Sequence, residues 1–148
     1  MLFRSMPGSA TEYSATVWTH FRRPCNAGEF PAGTAGVLSG EAGARQRGRA
    51  VAFQLQVTAG GQVADCRYRV YGCPATIALC SLTSEALKGR PLAAATAFSV
   101  VALAEQLGLP AAKRSAALTV EDAIRSAAGR YNSPGWLPLA ATELTYRA

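Results

Sequence analysis

The stretch Cys66–Gly89, CRYRVYGCPATIALCSLTSEALKG, decides how the rest of the chain reads. It opens as a strand, turns at Gly72, places Cys73 on the turn and continues as a helix. Pro74, with a fixed φ and no amide proton, suits the first helical position. Ile77 to Leu87 supply good helix formers, and Gly89 is a C-terminal stop. Cys73 therefore falls where unpaired backbone N–H groups and the positive end of the helix dipole converge. Such surroundings favour the thiolate, the form that binds metal or attacks sulfur. The plainer alternative is a small buried thiol closing a tight turn.

Upstream of that stretch, Val51, Phe53, Leu55 and Val57 alternate with Ala52, Gln54, Gln56 and Thr58, which reads as a strand with one buried face. Gly60-Gly61 makes a hairpin turn. The strand that follows sets Ala64, Cys66, Tyr68 and Val70 against Asp65, Arg67 and Arg69, so Cys66 is expected in the core. The Gly- and Ala-rich run from Cys25 to Gly48 holds a short strand around Ala35–Ser39. Before it, Ser9 or Thr11 caps a helix running to about Phe21, with Tyr13, Val17 and Phe21 on one face. Arg22-Arg23-Pro24 ends that helix. His20, the sole histidine, is expected as a surface residue at the helix end.

Downstream, the pattern predicts a helix from about Leu92 to Leu107 and another from about Ala111 to Arg130, the latter with an apolar stripe at Ala116, Val120, Ala123, Ile124 and Ala127. Trp136, Leu137 and Leu139 are expected to dock a tail on the body. The order is an N-terminal helix, a three-stranded antiparallel sheet and a C-terminal helical cap, an α+β fold. We divide the chain into a flexible leader (1–8), one domain (9–131) and a C-terminal tail (132–148).

At 148 residues, 49% hydrophobic and 16% charged, the chain is long enough for one domain with a substantial core. No apolar run reaches the roughly 18 residues of a membrane span. MLFRSMPGSA carries one Arg and no sustained apolar segment, so no signal peptide is expected, and four reduced thiols in the cytoplasm follow. The net charge of +6 favours acidic partners, but without basic residues interleaved with aromatics nucleic acid is not expected.

Several blocks in order, HFRRPCNAG, QLQV, VADCRYRVYGC, SLTSEALKGRPL, LPAAK and EDAIRSAAGRY, resemble the iron–sulfur cluster scaffold family, the IscU-like proteins and the N-terminal domain of NifU. The resemblance covers about Val17 to Tyr131. It implies the NifU/IscU-like fold with ligands at one end, and a role in assembling or handing on iron–sulfur clusters beside a cysteine desulfurase and a DnaK-like chaperone; we expect that role to be non-enzymatic. It also carries departures. Of the family's three cysteines, aspartate and histidine, only the second cysteine remains, as Cys73. Arg47 stands at the first cysteine position, Arg49 at the aspartate, Ser115 at the histidine and Ala116 at the third cysteine. The chaperone-recognition block keeps Leu109, Pro110 and Lys113, with Ala111 and Ala112 replacing Pro and Val.

Clusters are held by about four thiolate-type ligands, and arginine cannot be deprotonated to become one. We therefore expect no stably bound cofactor and a degenerate metal site, in a protein that retains a partner surface and a sulfur-accepting Cys73. Iron, zinc or a cluster held through Cys73 with new or intersubunit ligands is the second expectation. A small thiol enzyme or an unrelated adaptor is the third. Cys80 lies two turns, roughly 10 Å, up the helix from Cys73, too far to share one metal ion, whereas Cys25 sits in a loop able to swing in. Arg45, Arg47 and Arg49 form either a solvated loop or a site that pairs with acidic groups or an anion.

Overall fold

The computed structural model describes residues 13–140. The leader 1–8 and the caps Ser9 and Thr11 lie outside that range. Helix α1 (Ala15–Arg22) begins instead at Ser14, whose hydroxyl accepts from the Val17 N–H at 3.3 Å. Tyr13 precedes the helix but is buried with Val17, while Phe21 is only half-covered, edge-on to Trp18.

The sheet comprises β1 (Val37–Ala44), β2 (Arg49–Val57) and β3 (Val63–Tyr71), antiparallel in the order β1-β2-β3. β1 extends well past the expected Ala35–Ser39, because pairing with β2 supplies what its glycine-rich sequence lacks in strand propensity. Gly40 is required for the packing: a Cβ there would lie 2.1 Å from the Ala127 backbone nitrogen. Val51, Phe53 and Leu55 oppose Val70, Tyr68 and Cys66, which puts the two apolar sets on one face, as their alternation predicts. Gln56 departs from the pattern. Expected on the open side, it is buried, because residues 30–36 fold over that part of the sheet and its amide donates to the Ala35 carbonyl at 3.0 Å.

Helix α2 (Pro74–Leu87) packs against α1 and β3, and Gly89 follows it at φ +82°. The single helix expected over 92–107 is two, α3 (Leu92–Ala97) and α4 (Val100–Gln106). Phe98 and Ser99 are extended between them, and the Ser99 hydroxyl caps α4 by accepting from the Ala102 N–H at 3.0 Å. After Pro110, Ala111–Lys113 is a 3₁₀ turn, and α5 (Arg114–Ala128) lies across β1 and β2 with Ala116, Val120, Ala123, Ile124 and Ala127 buried. α5 is thus shorter at both ends than the expected 111–130. Beyond it, Trp136 packs on the core beside Tyr131, and the Leu139 N–H donates to the Val57 carbonyl at 2.8 Å. Leu137 does not dock; it is 74% exposed. No helix among the described residues is long and apolar enough to cross a membrane.

His20 is not a free surface residue. Its Nδ1 lies 2.7 Å from the Ser81 hydroxyl, which also accepts from the Cys25 N–H at 2.8 Å. α1 and the loop after it are thereby fastened to the far half of α2, where the buried Ser84 hydroxyl donates to the Ser81 carbonyl and accepts from the Asn26 amide, and the Ser81 hydroxyl serves His20 and Cys25.

Candidate functional site

β3 ends at Tyr71 and α2 begins at Pro74, so Cys73 occupies the extended cap position between them (φ −80°, ψ 166°). Its thiol is half-buried. The Thr76 hydroxyl, one helical turn on, lies 3.3 Å from Sγ, and the Lys113 ammonium donates to it at 3.5 Å from the 3₁₀ turn before α5. Burial alone would push this thiol up. The Thr76 hydroxyl and amide, the Lys113 ammonium and the Ala75 amide outweigh that and hold it below the ordinary thiol range. Burial in turn draws the Lys113 ammonium down, but the attraction of Cys73, with that of Tyr13, leaves it raised. The pair is therefore biased toward thiolate and ammonium.

The other thiols differ in kind. Cys66 is fully buried, its Sγ 3.6 Å from the Ser84 carbonyl, and burial with the Asp65 charge pushes it up to about 12. Burial likewise raises Cys80. Cys25 is half-buried, but its amide is fixed to Ser81, eight residues along α2 from Cys73, or roughly 12 Å of helix. None of the three is a neighbour of Cys73.

Arg47 ends the exposed 3₁₀ turn Arg45–Arg47 that joins β1 to β2, and Arg49 is the first residue of β2. Ser115 is exposed in the first turn of α5, whereas Ala116 is fully buried in the core. Among the described residues no group of three or more His, Cys, Asp or Glu side chains converges in a way that would hold a metal ion. A thiolate flanked by a threonine and a lysine supplies one anionic donor, so the residues present do not fit a cluster enclosed by a single chain. Leu109 and Pro110 line a cavity of about 220 Å³ with Val101, Ala104, Glu105 and Arg114. Leu109 also packs on the cluster of Tyr13, Val17, Ala75 and Ala78 that Cys73 adjoins.

Sequence reasoning missed two contacts of the thiol. Thr76 was findable, three residues beyond a helix cap. Lys113 was not: it is 40 residues from Cys73 and reaches it only through the packing of α4 and α5.

A three-stranded antiparallel sheet covered by helices, with a half-buried thiol at the strand-to-helix turn, defines a small α+β protein. The chain belongs to the NifU-like N-terminal domain family, whose model matches residues 12–135. The iron–sulfur cluster assembly scaffold protein IscU of Escherichia coli K12 is 37% identical over 121 residues, 82% of this chain and 94% of that protein. The iron–sulfur cluster assembly protein 2 of Arabidopsis thaliana is 34% identical over 119 residues, 80% of this chain and 73% of that protein. In structure, the N-terminal NifU-like protein of Brucella abortus aligns with a TM-score of 0.63 at 16% identity, covering 84% of this chain and 96% of that one. A putative scaffold protein for the SUF system of Fervidobacterium islandicum aligns at 0.59 and 14%, covering 80% and 97%.

Proposed function

We propose that this chain serves iron–sulfur cluster assembly, the process its relatives are named for, as a non-enzymatic sulfur acceptor and partner-binding protein rather than as a cluster holder. The sulfur is cargo, and Cys73 is the residue that receives it. The observation that carries this reading is the contact of Cys73 with Lys113 and Thr76, which favours a thiolate where family members keep a ligand. Arg47, Arg49, Ser115 and Ala116 supply no ligand of their own. The Cys73 thiolate attacks the outer sulfur of a donor persulfide. The donor's S–S bond breaks, its cysteine leaves as a thiolate with the electron pair, and Cys73 emerges as the persulfide. The Lys113 ammonium stays beside the reacting sulfur and balances its charge throughout.

The donor in this reading is a cysteine desulfurase in the cytoplasm, and a DnaK-like chaperone engages Leu109, Pro110 and Lys113. Residues 9–131 form the working unit, between a leader (1–8) and a tail (132–148). The test is incubation with a cysteine desulfurase and L-cysteine, followed by intact mass measurement. A gain of one sulfur atom, absent in Cys73→Ser, is expected. No gain refutes the acceptor role. Iron and acid-labile sulfide are measured alongside, in protein purified without oxygen. Both present in the wild type and lost in Cys73→Ser would overturn the degenerate site in favour of a cluster held between chains.

A further inference from the structure

Among the described residues, the arginines that stand where the resemblance places ligands have no acidic partner. Arg67, Arg69, Arg114 and Arg125 each lie within 4 Å of a carboxylate. No such ion pair forms at Arg45, Arg47 or Arg49, three cations within five residues on the turn between β1 and β2 and at the start of β2. Of the two expectations for this segment, a solvated loop or pairing with acidic groups or an anion, the second has no carboxylate partner among the described residues. That leaves these cations available to an acid from another molecule.

Of the three, Arg45 lines a trough on the adjoining open face of the sheet, with Arg47 and Arg49 at its end. On the open face of the sheet, Gly43, Ala50 and Ala52 floor a depression of about 440 Å³, walled by Arg45, Tyr71 and Arg69 on one side and Glu41 on the other. The floor has no side chain longer than a methyl group, so an incoming backbone can approach the strands closely. Tyr71, 48% exposed, carries the Arg45 guanidinium 5.0 Å above its ring. A guanidinium held over a ring face can still present N–H groups to a carboxylate. The strand register also fixes what the trough adjoins. Ala50 pairs with Tyr71, so one step further brings Arg49 level with Gly72, the neighbour of Cys73.

We propose that this basic end of the sheet is a docking surface for an acidic, extended segment of a partner protein, laid across the trough beside Cys73. Charge complementarity identifies the occupant, and Glu41 separates it from a nucleic acid. A carboxylate in the wall repels a uniformly charged phosphate backbone, but a peptide can place a neutral or basic residue opposite it. The trough also presents one exposed aromatic ring, not the succession on which single-stranded bases stack. The inference stands whether or not Cys73 accepts sulfur.

The probe is a fluorescein-labelled octa-glutamate peptide titrated with the full chain and followed by anisotropy. We expect binding that weakens as salt is raised and that falls about tenfold in Arg45→Gln/Arg47→Gln/Arg49→Gln. Arg22→Gln/Arg23→Gln/Arg130→Gln removes the same net charge elsewhere and is expected to bind within about twofold of wild type. Cys73→Ser is expected to bind normally, which separates this surface from the sulfur-acceptor reading. Equal losses in the two triple variants would reduce the effect to net charge and overturn the proposal. So would unchanged binding by the first triple variant, or tighter binding of labelled oligothymidine that depends on the same three arginines. Thermal unfolding of each variant confirms that the fold is kept.

Discussion

Replacing Lys113 with methionine removes the ammonium beside Cys73 while keeping most of the apolar stem. At the observed 3.5 Å, two unit charges attract by about 1 kcal/mol in water-like surroundings and by about 5 kcal/mol at a protein-like dielectric. The pair sits at a half-exposed edge where solvent screens it, so the lower figure applies. A loss of about 1 kcal/mol lowers the thiolate population at neutral pH about five- to tenfold. The assay is the rate of Cys73 alkylation by iodoacetamide between pH 6 and 10, with Cys25→Ser as background so that a single accessible thiol is followed. In Lys113→Met the rate curve moves to higher pH, and Lys113→Arg restores it. The same contact links to stability with a definite sign. A folded-state thiol held below its unfolded value contributes above the unfolded titration, and that contribution fades as pH falls through the folded one. The stability gap between wild type and Lys113→Met should therefore widen as pH rises through the Cys73 titration. An unchanged alkylation profile in Lys113→Met would refute the ammonium–thiolate pair.

Other outcomes follow from separate parts of the molecule. Native-state alkylation should label Cys73 and Cys25, with Cys66 and Cys80 reacting only after denaturant exposes them, as peptide mapping will report. Gly40→Ala drives a methyl group into the α5 backbone at Ala123 and Ala127 and should cost at least about 3 kcal/mol in urea unfolding. Glu85 is held below the usual carboxylate range, first by the Asn26 amide and then by Lys88. The stability it adds is complete above the ordinary glutamate value and is lost as pH falls through the depressed one. Since the carboxylate is half-exposed, Glu85→Gln should lower neutral-pH stability by less than about 1 kcal/mol, with the difference vanishing in acid.

Much of the fold was legible along the chain. The alternation marked the core-facing residues of β2 and of Cys66–Val70, because a strand's side chains alternate between its two faces, but a register shift beside Val57 buries Val63 and leaves Ala64, expected inside, half-exposed. Gly72-Cys73-Pro74 located the strand-to-helix turn, since proline tolerates the first helical position and little inside it. Errors fell where partners distant in sequence overrode local preference. The length of β1 comes from β2 and from the Gly40 contact with α5; the break at Phe98-Ser99 is set by a cap within an otherwise apolar helical pattern; Gln56 is buried by a loop that crosses the open face.

The candidate site divides in the same way. The sequence by itself determined that Cys73 sits at a helix start and that Cys66 is a core thiol, and the resemblance implied that arginine, serine and alanine stand where ligands would be, residue identity deciding whether a side chain can donate to a metal. Only the tertiary structure decided what surrounds the sulfur. Packing against the sheet and α2 brings the Ala111–Lys113 turn to Cys73, while His20 and Cys25 are committed to Ser81 at the other half of α2. A contact bridging 40 residues leaves no local pattern to read. It exists because burying the apolar faces of α2, α4 and α5 fixes where the turn between α4 and α5 must lie, and with it the ammonium.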